Sequence, residues 1–244
     1  MNMPSVPIKP IRENYLCVKD RISVVAKEAG RDPDAIQLVV VTKTHPIEVV
    51  QAVIDAGATD IGENYVEEAI PKIQSMGNHR GVRWHMIGHV QSRKALPVCE
   101  YFHYVHSLDS MKLAERLSRF AVELDKKIPG FLEFNLSGET TKSGWYIGLE
   151  GNLSNFLPDF EKIISLPGLN ILGLMTIPPY STDPEVSRPY YRRLKVIQEQ
   201  LIQRFQLSGF RGLSIGMSGD FEVAIQEGST CVRIGTAIIG PRIT

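Results

Sequence analysis

Lys43 and two small-residue segments far downstream are the parts of this sequence whose types and spacing could do chemistry. Lys43 closes the run Leu38-Val39-Val40-Val41-Thr42, whose four apolar residues include three β-branched ones. Such a short apolar run is typical of a strand buried on both faces. Pro46, three residues on, stands where the first turn of a helix would begin. A lysine at the carboxyl end of a buried parallel strand faces the mouth of an α/β fold, where binding and catalysis usually sit. Burial there would lower its pKa and leave the amine able to attack a carbonyl. The plainer alternative is a strand cap in solvent.

The second segment is Leu213-Ser214-Ile215-Gly216-Met217-Ser218-Gly219-Asp220, and the third is Val232-Arg233-Ile234-Gly235-Thr236. Small residues at a strand end let backbone N–H groups close on an anion. Gly and Ser turns also arise for steric reasons alone, so neither segment decides the matter by itself. Their conjunction with Lys43 suits an aldehyde that carries a phosphate.

The elements that must position these residues follow from periodicity. Ile11, Tyr15, Val18, Ile22, Val25 and Ala29 recur at steps of three and four, which predicts an amphipathic helix ended by Gly30. Strands are predicted at 38–41, 59–62, 82–87, 102–106, 131–136, 169–174, 212–215 and 231–234. Helices are predicted between them, with Asp109 as an N-cap, a helix over 152–165, and a long helix from Asp183-Pro184 to Phe205. Strands alternating with helices imply parallel βαβ units. Eight of them point to an α/β fold, a single (β/α)8 TIM-type barrel with an extra N-terminal helix, and the open doubly wound sheet lacks a G-x-G-x-x-G after its first strand. The domain is expected over 9–244, with residues 1–8 a flexible tail. In this count the two small-residue segments are the loops after strands 7 and 8, the usual phosphate grip of barrels.

Composition narrows the field of partners. Lys plus Arg and Asp plus Glu are 27 each in 244 residues, so no global charge field draws in nucleic acid or an anionic membrane. Cys17, Cys99 and Cys231 fit neither a disulfide framework nor a metal-ligand spacing. No apolar run approaches the roughly 20 residues of a membrane span, and the start does not read as a signal peptide. A cytoplasmic protein is expected. His85 and His89 stand at i and i+4 but flank a strand-to-helix turn, so hydrogen-bonded structural roles are expected over metal ligation. Asp109, Glu115 and Arg116 read as helix-surface charges, Trp84 as core or rim, and Cys231 as a small buried apolar residue.

Further motifs extend the pattern over nearly the whole chain: Val41-Thr42-Lys43-Thr44, Gly62-Glu63-Asn64-Tyr65, Trp84-His85-Met86-Ile87-Gly88-His89-Val90-Gln91-Ser92 and Gly173-Leu174-Met175-Thr176-Ile177-Pro178-Pro179. With Gly216-Met217-Ser218-Gly219-Asp220-Phe221 and Val232-Arg233-Ile234-Gly235-Thr236, the sequence resembles the pyridoxal phosphate homeostasis protein family. That family is built on the barrel domain of fold-type III pyridoxal-phosphate proteins. Thr42 and Gly219 depart from it, standing where many members carry serine and alanine. The resemblance implies that Lys43 holds pyridoxal 5′-phosphate as a Schiff base. It implies that Ser214, Gly235 and Thr236, with the backbone near Met217 and Ser218, hold the phosphate. It further implies that Arg233 approaches the pyridine nitrogen and that Asn64 lies beside the ring.

Racemases of the same barrel type need a second acid/base from an additional C-terminal domain, and this chain stops just after its eighth strand. A cation at the ring nitrogen also weakens the cofactor's capacity to absorb carbanion charge. The expectation is therefore a non-catalytic monomer that buffers or delivers the cofactor in vitamin B6 homeostasis, with apo-enzymes as recipients. A pyridoxal-phosphate-dependent racemase or lyase, and a cofactor-free aldolase-like barrel using Lys43, are the alternatives.

Overall fold

The computed structural model describes residues 8–77, 81–151 and 153–241. The expected tail over 1–8 lies, apart from Ile8, outside them. The chain opens with α1 (Ile8–Glu28), then alternates β1 (Gln37–Val41), α2 (Ile47–Asp55), β2 (Asp60–Glu63), α3 (Val66–Met76), β3 (Arg83–Met86) and α4 (Ala95–Tyr101). It continues through β4 (Tyr104–Leu108), α5 (Met111–Glu123), β5 (Ile128–Asn135), β6 (Trp145–Tyr146), α6 (Leu157–Ser165), β7 (Leu169–Thr176) and α7 (Arg188–Phe205). The last elements are β8 (Gly212–Ser214), α8 (Phe221–Gln226), β9 (Cys231–Ile234) and α9 (Thr236–Ile239).

Every strand pairing is parallel, as βαβ connection demands. The order β4-β3-β2-β1-β9-β8-β7-β5 closes on itself through β4–β5, making an eight-stranded barrel with the two-residue β6 added along β5. The first and last strands meet, with Val39 opposite Arg233 and Val40 opposite Ile234. Lys43 and the two small-residue loops are therefore neighbours at the carboxyl ends of the strands, although about 170 residues separate them in sequence. The strands' outward side chains form one core with the helices. In α5, Leu113, Ala114, Leu117 and Ala121 turn inward at helical spacing.

The differences from expectation lie at element ends. The predicted helix over 152–165 begins only at Leu157, with Pro158 in its first turn. The long helix begins at Arg188, preceded by one 3-10 turn at Pro184–Ser187. β6 and α9 are too short for periodicity to reveal. Asp109 is not the N-cap of α5; Ser110 takes that place, and the Asp109 carboxylate accepts from His89 Nδ1 at 2.6 Å. Its side chain is only 7% exposed, so it is not a surface charge.

Candidate functional site

A cavity of about 410 Å³ opens at the carboxyl ends of the strands. Lys43, Asn64, Met217, Ser218, Arg233, Gly235 and Thr236 all line it. Of the expected site residues only Ser214 does not.

Lys43 lies two residues past β1 in a turn, not in the strand. Thr42 N–H still donates to Gly62 O at 3.0 Å, continuing the ladder, and Thr44 then adopts a left-handed φ of 64°. The turn is gripped from α3. Lys72 Nζ donates to Thr42 O at 3.1 Å, to Glu63 Oε1 at 2.9 Å and to Glu68 Oε1 at 2.6 Å, while Glu68 Oε1 accepts the Thr44 N–H at 2.6 Å. Thr42 Oγ1 donates to the same Glu63 oxygen at 2.6 Å. Burial pushes the Glu63 carboxyl above its usual range, against the pull of Lys72, and its Oε2 is buried with no partner.

Asn64 is placed by contact with the β3 loop. A Cβ on Gly88 would sit 2.5 Å from Asn64 O, so only glycine lets the two segments press together.

On the other side, Gly216 turns the chain at φ 96°, where a Cβ would lie 2.6 Å from that of Ala224. The next loop is organised by Asp220. Its Oδ1 accepts Met217 N–H at 2.7 Å, and its Oδ2 accepts Ser187 Oγ and Tyr191 Oη, each at 2.7 Å. Desolvation and the Asp220 charge raise the pKa of Tyr191. The Met217 amide expected at a phosphate is thus already engaged. Ser218 Oγ accepts Ala237 N–H at 3.2 Å and ties this loop to the one after β9. Gly219 has nothing within 4 Å of a built Cβ, and Gly235 would meet Val41 O at 3.2 Å. Gly219 thus leaves open space at its loop, while Gly235 lets the last loop pass close to the end of β1.

Arg233 reaches the cavity from inside the barrel, with 5% of its surface exposed. One terminal nitrogen donates to both Ser214 O and Ser214 Oγ, and the other to Thr176 O at 3.3 Å. Ser214 is fully buried below the cavity, and its hydroxyl meets His106 Nδ1 at 2.7 Å. Its side chain is spent on the arginine and the histidine, which explains its absence from the lining.

Sequence reasoning did not find Asp220 as the organiser of its loop, nor Glu63, Glu68 and Lys72 as the grip on the lysine turn. Glu63 and Lys72 are distinguished by their burial, and the half-buried Asp220 and Glu68 by the backbone amides they accept from. His85 is buried while His89 is 56% exposed and bonded to Asp109, so the two histidines do not share a site. Among the described residues no group of three metal-ligating side chains converges, and no helix is long and apolar enough to cross a membrane.

The alanine racemase N-terminal domain family matches residues 17–242. A pyridoxal phosphate homeostasis protein of Vibrio alginolyticus is 37% identical over 235 residues, spanning 95% of this chain and 97% of that one. The structure of PipY from Synechococcus elongatus with pyridoxal phosphate bound matches with a TM-score of 0.77 at 30% identity, over 90% of this chain and all of that one. An alanine racemase of Clostridium difficile shares the fold at a TM-score of 0.70 and 14% identity, this chain spanning 56% of it. With its lysine turn, buried arginine and paired small-residue loops set in such a barrel, the chain belongs to the pyridoxal phosphate homeostasis protein family, on the alanine racemase N-terminal domain fold.

Proposed function

We propose that this protein binds pyridoxal 5′-phosphate at the mouth of its barrel and serves as a holder of the cofactor, buffering or delivering it. The observation that carries this reading is the convergence of Lys43, Arg233 and the Ser218–Gly219 and Gly235–Thr236 loops on one cavity. Its volume lies within the range of roughly 300–1,000 Å³ of small-molecule sites. The donor set fits the cofactor's three functional ends: an amine for its aldehyde, small-residue backbone for its phosphate, and a cation for its ring nitrogen.

When bound, pyridoxal phosphate supplies an aldehyde, with which an amine condenses with loss of water, and a ring able to withdraw electrons. Lys43 provides that amine. Ser218, Gly235 and Thr236 hold the phosphate, together with the Gly219 backbone. Asn64 flanks the ring. Arg233, buried among Ser214, Thr176 and Glu133, keeps a positive charge at the ring nitrogen and so disfavours its protonation.

The same arrangement supports holding over turnover. The ionisable side chains lining the cavity are Lys43, Tyr180, Asp220 and Arg233. Asp220 already accepts from three donors, Arg233 is a fixed donor, and Tyr180 is 94% exposed on the rim. A racemase or lyase needs a second positioned acid/base, and on this reading none of these side chains serves as one. On this reading the recipients are apo-enzymes that use the cofactor, and the protein acts as a monomer. The cysteines are free among the described residues, which supports a cytoplasmic setting.

The test is the visible spectrum of the protein mixed with pyridoxal phosphate. The expected result is a yellow band, absent in Lys43→Ala and fixed on Lys43 by borohydride, with no catalytic turnover of added amino acids. A colourless protein that takes up no cofactor overturns the binding reading. Amino-acid turnover abolished by Lys43→Ala makes the protein an enzyme.

A further inference from the structure

Below the cavity the barrel holds a run of buried polar side chains that cofactor contact leaves unexplained. Asp60 on β2, His85 on β3, His106 on β4 and Ser214 on β8 form it. His85 Nε2 lies 2.9 Å from Asp60 Oδ1, and His85 Nδ1 lies 2.9 Å from His106 Nε2. His106 Nδ1 lies 2.7 Å from Ser214 Oγ, which accepts from Arg233. The chain therefore runs from Arg233, in the wall of the upper cavity, to Asp60. Asp60 lines a second cavity of about 900 Å³ at the amino ends of the strands.

With both rings neutral, the Asp60 end fixes the direction of every bond up to Ser214. A guanidinium can only donate and a carboxylate can only accept. Asp60 is kept ionised: burial works to raise its pKa, but hydrogen bonds from His85, Arg83 and Thr59 bring it well below the usual carboxylate range. Burial pushes both imidazoles below the usual histidine value, which favours the neutral ring with one N–H each. His85 must then place its hydrogen on Nε2, toward Asp60, leaving Nδ1 bare. That bare nitrogen takes the Nε2–H of His106, whose own bare Nδ1 takes the Ser214 hydroxyl hydrogen. The lone pairs of Ser214 Oγ are then available to Arg233. Reversal of any one bond would set two hydrogens or two lone pairs face to face.

The ring faces are packed so that neither histidine can swing away. Tyr104 stacks on His85 with centroids 4.5 Å apart and planes 4° apart, and Phe131 lies 4.7 Å from His106. At the lower end Asp60 also accepts from Gln37, Thr59 and Arg83.

We propose that this relay is the positioning device for Arg233: His106, acting through Ser214 and oriented by His85 and Asp60, aims the guanidinium at the ring nitrogen of the bound cofactor. The inference rests on the binding reading above and extends it to residues that do not line the cavity. Losing the Ser214 hydroxyl leaves that arm of Arg233 held by the Ser214 carbonyl alone, and the ring nitrogen then faces a less firmly fixed cation.

The experiment has two arms on the full-length protein. In the first, nitrogen-15 NMR of the histidine side chains, without added cofactor at neutral pH, is expected to show both buried rings neutral with the proton on Nε2. A through-bond coupling between His85 Nδ1 and His106 Nε2 is also expected. A cationic ring, or a proton on Nδ1, overturns the relay. In the second arm, wild type, Ser214→Ala, His106→Leu and His106→Gln are saturated with pyridoxal phosphate. His106→Leu and Ser214→Ala are expected to shift the visible band and its pH dependence and to weaken binding about tenfold, the weight of one hydrogen bond to a charged group. His106→Gln keeps an acceptor and a donor and is expected to restore much of both. Near-ultraviolet circular dichroism confirms that each variant is folded, and the first arm needs no variant. Folded variants with the wild-type band and affinity overturn the positioning role alone. A wild type that takes up no cofactor overturns the binding reading, and the role with it.

Discussion

Glu133 shows how much of the chemistry of this barrel is set by surroundings that a residue's identity does not announce. It sits on β5 near the mouth, 7% exposed, beside Asp109 and Arg233. Burial first, and then the Asp109 charge, pushes its carboxyl up from 4.5 to about 7, against the pull of Arg233 and His89. The sign of the linked stability follows directly. Between these two values the folded protein keeps a proton that the unfolded chain has released, so its contribution to stability falls as pH rises through the window and is flat above it. At 1.36 kcal/mol per unit the ceiling is about 3 kcal/mol. Glu133→Gln removes the titration while keeping the shape. The variant is expected to gain on wild type by about 1–3 kcal/mol between pH 5 and pH 8, read as the difference between two urea-unfolding series. A difference that stays flat across that range would show that Glu133 titrates normally. Residue types alone pointed to Lys43 and the glycines, because each has an intrinsic chemical or steric signature, while the place of Arg233 came from the family resemblance. They did not show that Ser214 points inward or that the Met217 amide is taken, because both facts depend on partners 108 and three residues away.

At the level of elements, the strands were legible because eight apolar runs recur at βαβ spacing, and the helices because their core stripes keep a period of 3.6. What the pattern could not show is how α3 grips the lysine turn. Lys72 is a buried cation on α3. It is the shared donor for Thr42 O, Glu63 and Glu68, while Glu68 returns a bond to the amide of Thr44. The two peptide groups flanking Lys43 are therefore held by one buried ion cluster. Removing its cation leaves Glu63 buried beside an orphan oxygen, and breaking a buried pair in this way costs about 3–5 kcal/mol. Lys72→Met is expected to lose that stability in denaturant and also to slow the growth of the yellow band, because the turn presenting Lys43 is no longer held. Glu67→Gln breaks only an exposed pair with Lys94 and is expected to change neither. Equal band growth in wild type and Lys72→Met would remove α3 from any part in presenting the lysine.

For the molecule as a whole, the decisive feature is that the barrel closes between its first and last strands and that α1 lies over this join. Asn14 donates to Ile238 O at 3.1 Å, Arg21 to Glu222 Oε1 at 3.0 Å and Tyr15 to Gly57 O at 3.1 Å, so one helix is bonded to α9, α8 and the end of α2. Ile11, Val18 and Ile22 are buried beneath it. The periodicity of α1 was plain in the sequence, but the surface it covers was not, because that surface is built from the two ends of the chain. If the helix is part of the closure, weakening it must weaken every strand. Ile22→Ala removes three buried carbons and is expected to cost about 2–4 kcal/mol, while Val24→Ala, at a half-exposed position, is expected to cost little. Urea unfolding separates a closing helix from an appended one. Tryptophan fluorescence reports Trp84 on β3 and Trp145 on β6, both remote in sequence from α1, while far-ultraviolet circular dichroism reports all helices. In Ile22→Ala the two transitions are expected to shift together, since a barrel opened at the join between β1 and β9 exposes the walls of the cofactor cavity and its core at once. A loss of helical signal at low urea with the fluorescence transition unmoved would make α1 a separate unit, and the lysine turn and small-residue loops would then owe their proximity to strand pairing alone.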